Sequence, residues 1–309
     1  VGYLLVLLAG VFFCSQNLIV RVLFTPSNLL GQMELGGFVA PTLANSFLLL
    51  FMRMAVGVPL MVGLLPLVYP RLWADLRQLN QPRFRPDLIL ALTGGVLMFG
   101  YLALLYVAIG RIAAGIALAL FFTFPVYTAL LSWVWFGHRP SRLRWVIMAV
   151  ILLGSSLTIP SQGAAVDSWL GVIFGLASGL AYALYAVTAQ KAFETFHPVP
   201  FTTISFATTL VLAMGSLLVW RSDLSGLAWT ALWVGGALSA IATVTGHVLN
   251  NLGIRLVGAT AAAMLGAANP ALTAVLAWVG LQEQLTLMQA TGVALVTGCV
   301  ALLALSKPA

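Results

Sequence analysis

Four polar side chains share one face of a single apolar stretch. Thr243, His247, Asn250 and Asn251 stand at i, i+4, i+7 and i+8, the spacing that stacks side chains along one side of a helix. Threonine and asparagine donate and accept hydrogen bonds, and an unperturbed histidine changes charge near neutral pH. The set could hold a polar small molecule. It could equally bind helix to helix, since His and Asn also bridge neighbouring apolar helices. Near the start of the chain, Gln16 and Asn17 lie about one turn before Arg21. Arg21 is placed to extend its charge to lipid headgroups. Tyr182 and Tyr185 stand three residues apart, and Tyr101 and Tyr106 mark another apolar run. With Phe121, Phe122 and Phe124 they offer ring faces to an apolar or aromatic ligand, or pack as ordinary helix contacts.

Two charges stand out. Arg53 interrupts an apolar run, where an arginine costs roughly 2.5–3.5 kcal/mol even on a lenient insertion scale. It reads as a structural anchor or as a ligand for an anion. Glu283 could bind a proton or a cation, or accept the free N–H groups of a helix starting near Thr286. His247 and Glu283 are the candidate coupling groups. The sequence holds no Gly-rich phosphate loop, no His/Cys spacing for a metal and no Ser-His-Asp set. No catalytic residue, metal or cofactor is expected, and the chain is not read as an enzyme.

The elements that carry these residues follow from composition. Of 309 residues, 61% are hydrophobic and 7% charged, against about 25% charged in a soluble domain. Most of the length falls into apolar runs near the roughly 20 residues that cross a bilayer as a helix. The expected class is therefore an all-α integral membrane protein, and a β-barrel is excluded because the runs do not alternate. Ten transmembrane helices are expected, near 2–24, 44–69, 88–109, 112–136, 144–160, 169–193, 200–220, 229–253, 256–281 and 286–306. The first is read as a span, not as a removable signal peptide. With the N-terminus inside, ten of the fourteen basic residues fall in inner loops, from Arg71 to Lys307. That asymmetry places both termini in the cytoplasm. It also explains the net charge of +7 without nucleic acid as a partner. Cys14 and Cys299 each lie in an apolar run and are expected to be reduced.

One segment occurs twice. FPVYTALLSW from Phe124 and NPALTAVLAW from Asn269 both read P-x-x-T-A-x-L-x-W, offset by 270 − 125 = 145 residues. Ten spans divide into two fives, over 1–163 and 164–309. An odd number per half makes the second half enter from the opposite side, so the halves form inverted repeats. Pro125 and Pro270 then kink opposed helices beside a midplane cavity. Thr128 and Thr273 are placed to bond back to their own helices. Phe124 precedes the first proline and Asn269 the second, which suggests a cavity aromatic on one side and polar on the other. Gly171, Gly175 and Gly179 read as a close helix contact, and Gly154, Gly292 and Gly298 as packing positions.

The stretches GRIAAGIALALFFTFPVYTALLSWVWFGHRPS from Gly110 and LGIRLVGATAAAMLGAANPALTAVLAWVGLQEQLT from Leu252 each resemble the signature region of EamA-type carriers of the drug/metabolite transporter superfamily. The resemblance covers both five-helix units. The first copy has Gly137-His138-Arg139 where an acidic residue is common. The resemblance implies a secondary carrier of small metabolites, such as amino acids or related compounds. It would be an exporter or exchanger that alternates access around a cavity among the first, third, fourth, sixth, eighth and ninth helices. It places Gln16 and Asn17 at that cavity and makes an arginine early in the second helix a common feature. It implies a small-molecule substrate and lipid as partners, a monomer or homodimer, and the cell (inner) membrane as location. The reading from a different class is a membrane-embedded receptor or assembly protein that binds without transporting.

Overall fold

A computed structural model describes residues 1–29, 33–79, 81–137, 139–158, 169–281 and 286–305. His138 and Glu283 lie outside the described residues. Among those described, seven helical stretches are long and apolar enough to cross a membrane: Gly2–Phe24, Leu43–Val68, Pro82–Ile109, Ala114–Phe136, Trp169–Ala192, Pro198–Val219 and Trp229–Gly266.

Helix α1 (Gly2–Phe24) is followed by a short antiparallel hairpin, β1 (Ser27–Leu29) against β2 (Met33–Leu35). The apolar pattern gave no sign of this hairpin. Helix α2 (Leu43–Val68) starts at Thr42, whose hydroxyl accepts from the Asn45 N–H at 3.2 Å, the usual way of satisfying a free first-turn donor. Two short connecting elements follow, α3 (Leu72–Gln78) and a 3-10 turn at Pro82–Phe84, before α4 (Arg85–Ile109). The chain continues through α5 (Ala114–Phe121), α6 (Phe124–Phe136), α7 (Arg142–Thr158), α8 (Trp169–Ala192) and α9 (Pro198–Val219). It ends with α10 (Trp229–Gly266), α11 (Asn269–Leu281) and α12 (Leu287–Leu305).

Three boundaries differ from the sequence reading. No loop separates the windows 229–253 and 256–281. Helix α10 runs through the first and into the second, as far as Gly266, and is interrupted at Gly258 alone (φ 82, ψ 160), a conformation that favours glycine. The windows 112–136 and 256–281 are each divided, with breaks at Phe122-Thr123 and Ala267-Ala268. Each proline therefore lies in the first turn of a new helix, not at a bend in a continuous one. Proline fits there because its missing N–H is one the first turn leaves unbonded.

The same 145-residue offset links the elements themselves. Helix α5 spans 114–121 and the part of α10 after its break spans 259–266; α6 spans 124–136 and α11 spans 269–281. Adding 145 to each bound of the first pair gives the second. Helix packing follows the same exchange. Helix α1 packs on α10 and α11; α8 packs on α4, α5 and α6. Helix α2 packs on α10, α4 on α9, α2 on α9 and α7 on α12. Small residues allow the close approaches. A Cβ on Gly292 would lie 2.5 Å from Gly154 O, and one on Gly179 2.8 Å from Phe121 O. Gly298, read as a packing position, has open space around it. Cys14 and Cys299 are both free and buried.

Candidate functional site

The polar stripe of α10 divides into residues with different roles. Thr243 donates to Ser239 O of its own helix at 2.7 Å. Asn251 is fully buried. Its amide nitrogen donates to Tyr185 Oη at 3.0 Å and to Thr202 Oγ1 at 2.8 Å, tying α10 to α8 and α9. Thr243 thus bonds within α10, and Asn251 serves contacts between helices. Asn250 lies within electrostatic reach of the Tyr182 phenol.

His247 sits between rings. Phe13 lies 4.9 Å away, Phe206 5.3 Å and Tyr185 6.3 Å, all edge-on. Its buried Nδ1 has no hydrogen-bond partner among the described residues, an arrangement that is costly unless a ligand or water completes it. Sequence reading missed Phe13 and Phe206, because a phenylalanine in an apolar run carries no sign of its neighbour.

Next to His247 stands an aromatic wall. Tyr182 packs on Phe124 at 4.4 Å, on Tyr101 at 5.1 Å and on Phe121 at 5.7 Å. Tyr101 in turn meets Tyr185 at 6.4 Å. Helices α4, α5, α6 and α8 supply these rings. Arg53 of α2 acts electrostatically on both Tyr101 and His247, so its charge belongs to this neighbourhood. The structure thus brings together Tyr101, Phe124, Tyr182, Tyr185, His247 and Asn250, with Arg53 beside them.

The other expected residues are placed differently. On α1, Val6, Gly10 and Cys14 form a buried stripe, and Asn17 continues that stripe but is exposed. Gln16 is half-buried and shows no hydrogen bond to a described residue. Asn269 Oδ1 is buried without a partner among the described residues and points at Gly10, where an added Cβ would lie 3.0 Å from it. Asn269 O accepts from Cys14 Sγ at 3.3 Å, so this residue joins α11 to α1. Pro125 is buried and Pro270 half-buried in the first turns of α6 and α11. Thr128 donates back to Phe124 O at 2.8 Å, whereas Thr273 makes no such bond. The Ala267 carbonyl at the second break is taken by Ser155 of α7 at 2.6 Å.

A cavity of about 690 Å³ lies at the end of the bundle where α1 begins. Its lining includes Tyr3, Arg139, Arg144, Gln190, Glu194 and Arg255, which makes it predominantly basic. None of the residues expected to bind substrate lines it. It does lie along the same helices: Ile254, in its wall, is one turn beyond Asn250, and Gln190 is five residues beyond Tyr185. At its edge, Gln190 Oε1 accepts from the Ala259 N–H at 2.6 Å. That bond caps the helical segment restarting after Gly258. No cluster of His, Cys, Asp or Glu able to hold a metal occurs among the described residues.

Comparison with known proteins gives a consistent result. The model of the EamA-like transporter family matches this chain twice, over residues 37–159 and 169–305. An "Uncharacterized transporter sll1319" from Synechocystis sp. (strain ATCC 27184 / PCC 6803 / Kazusa) is 51% identical over 308 residues, covering 99% of this chain and 94% of that one. The "Threonine/homoserine exporter RhtA" of Escherichia coli K12 is 28% identical over 200 residues, covering 63% of this chain and 64% of that one. A solved crystal structure superposes with a TM-score of 0.72 at 16% identity, covering 98% of this chain and 96% of that one; at that identity the likeness concerns the fold.

Proposed function

The chain belongs to the EamA-like transporter family, a multi-pass membrane protein, and from that premise we propose that it is a secondary carrier exporting or exchanging amino acids or related small metabolites. Ten crossings form two inverted five-helix repeats, with both termini in the cytoplasm of a cell whose inner membrane holds the protein as a monomer or homodimer. Substrate binds near the midplane at Tyr101, Tyr182, Tyr185, His247 and Asn250. The halves then rock so that this site opens alternately to either side, and the basic cavity at Arg139, Arg144 and Arg255 serves as the cytoplasmic vestibule.

The observation that carries the reading is the 145-residue offset between α5–α6 and their counterparts in α10–α11. Exchanging the halves turns the α1–α10 contact into the α8–α4 contact and the α2–α10 contact into α9–α4, and it returns α2–α9 and α7–α12 to themselves. A pseudo-two-fold relation of this kind, with broken helices at the centre, is the architecture that supports alternating access. The relative named for threonine and homoserine export makes those two amino acids the first compounds to try.

The test is counterflow in liposomes. Purified protein, checked for folding by size-exclusion chromatography, is loaded with unlabelled L-threonine, L-homoserine or each of a panel of amino acids. Uptake of the labelled compound above that of empty vesicles is the expected result. Absence of uptake across the panel by folded protein would leave the binding-only receptor as the better reading.

A further inference from the structure

Arg53 is the one charged side chain buried in the middle of the bundle among the described residues. It lies ten residues into α2, about 15 Å along the helix at 1.5 Å per residue, and only 5% of its surface is exposed. Such a charge normally pairs with an acid or with carbonyl groups. Here neither occurs. Among the described residues its buried Nε has no partner, and no hydrogen bond or ion pair from Arg53 to any of them is present. The other buried charged group among the described residues is Asp87. That residue lies in the first turn of α4 and accepts from Thr195 Oγ1 at 2.6 Å. It stands 14 residues from Tyr101 on the same helix, about 21 Å at 1.5 Å per residue, so it cannot serve a guanidinium near Tyr101.

The groups around Arg53 make the deficit specific. His247 Nδ1 is likewise buried without a partner among the described residues. Phe13, Phe206 and Tyr185 stand around His247, and the charge of Arg53 acts on His247 and Tyr101; none of these groups neutralises a cation as a carboxylate does. Low polarity of this kind strengthens any ionic contact made within it.

We propose that Arg53 is the substrate's anion ligand and that the transported compounds carry a carboxylate. Planar guanidinium and carboxylate match in a two-bond contact. The proposal rests on the carrier reading and narrows it: specificity is set by the carboxylate at Arg53, with the remainder of the substrate against the aromatic wall.

The experiment measures thermal unfolding of the purified full chain by tryptophan fluorescence. The probes are L-alanine, L-leucine, L-phenylalanine and phenylacetate, each beside its amide. At least one free carboxylate is expected to raise the unfolding temperature, by mass action, while its amide does not. In Arg53→Gln the apparent affinity falls on the order of a hundredfold, as when one partner of a buried charge pair is removed; Arg53→Lys loses less. An amide as effective as its acid, an unchanged response in Arg53→Gln, or no response to any carboxylate overturns the proposal. If Arg53→Gln does not fold, the acid–amide comparison in the natural protein and the response of Arg53→Lys decide. Counterflow with the same compounds separates the two ideas. Arg53-dependent binding without flux refutes the carrier and keeps the ligand, whereas flux that Arg53→Gln retains keeps the carrier and refutes the ligand.

Discussion

Replacing Asn251 by alanine separates helix-bridging from ligand-binding on the α10 stripe. The side chain donates to Tyr185 Oη and Thr202 Oγ1 at 3.0 and 2.8 Å and is fully buried. Intramembrane hydrogen bonds average about 0.6 kcal/mol and reach ~1.7, so two well-formed ones are worth roughly 1–2 kcal/mol. The small void adds roughly 0.5–1 kcal/mol at about 24 cal/mol per Å³. A loss of about 1.5–3 kcal/mol is expected. The assay is reversible unfolding in mixed micelles, followed by tryptophan fluorescence. A double-mutant cycle with Tyr185→Phe isolates the contact, with an expected coupling of about 0.5–1.5 kcal/mol. Asn251→Ala protein that folds should still be stabilised by whichever compound stabilises the natural protein. The reasoning fails if the coupling lies within the ~0.3 kcal/mol of independent sites. It fails equally if Asn251→Ala keeps its stability but no longer responds to ligand.

Two further perturbations test the packing and the start of α9. Gly292→Val places a branched side chain where a Cβ already lies 2.5 Å from Gly154 O, so α7 and α12 must separate; the monodisperse folded fraction on size exclusion should collapse, while Gly298→Val, in open space, should leave it intact. His197 caps α9 by accepting the Val199 N–H at 3.3 Å and stacks on Tyr69 at 4.0 Å. Partial burial, and then the charge of Arg255, hold its pKa below the usual 6.5, with Asp75 opposing. A base with a depressed folded-state pKa takes its proton more readily when unfolded, so its full stability is present above pH about 6.5 and declines as pH falls below that value. The melting temperature should drop between pH 7.5 and 5.5, and drop less in His197→Asn, which keeps a capping group.

Hydropathy made the helical windows legible because crossing a bilayer demands length and apolarity, and both are local properties. The breaks inside those windows were not legible in the same way. Leu120–Phe124 and Leu265–Asn269 remain largely apolar through the interruption, so no change of composition marks where the helix stops. The hairpin of β1 and β2 was missed because three-residue strands leave no periodicity to read. For the site, the 3.6-residue period put Thr243, His247, Asn250 and Asn251 on one face. It could not divide them, because each role is set by what the opposing helix presents. Thr202 holds Asn251, and Phe13 and Phe206 enclose His247. The hydroxyl-rich run TTISFATT from Thr202 was a usable sign of interhelical bonding. Ser205 and Thr209 reach Ala91 O and Gly95 O of α4 at 3.0 and 3.2 Å.

The repeated segment is informative both where its copies agree and where they differ. Agreement falls on the backbone: prolines in the first turns of α6 and α11, and breaks 145 residues apart. Difference falls on the side chains nearest the centre. Phe124 meets Tyr182 at 4.4 Å and so belongs to the aromatic wall. Its counterpart Asn269 turns its Oδ1 toward Gly10 and its carbonyl toward Cys14. An aromatic pair on one side and a polar contact to α1 on the other cannot bind one molecule in equivalent ways. The two copies therefore share a backbone device, while only the first copy contributes a ring to the aromatic wall. Substitutions at Phe124 should alter which compounds bind, and substitutions at Asn269 should alter how α11 follows α1. Exchanging the two residues, Phe124→Asn with Asn269→Phe, would fail to restore the original selectivity, because Tyr182 packs on the first position while the second is turned to α1. Restored selectivity in that exchange, read by the ligand panel used for Arg53, would show that the halves are interchangeable at the site and would refute this division of roles.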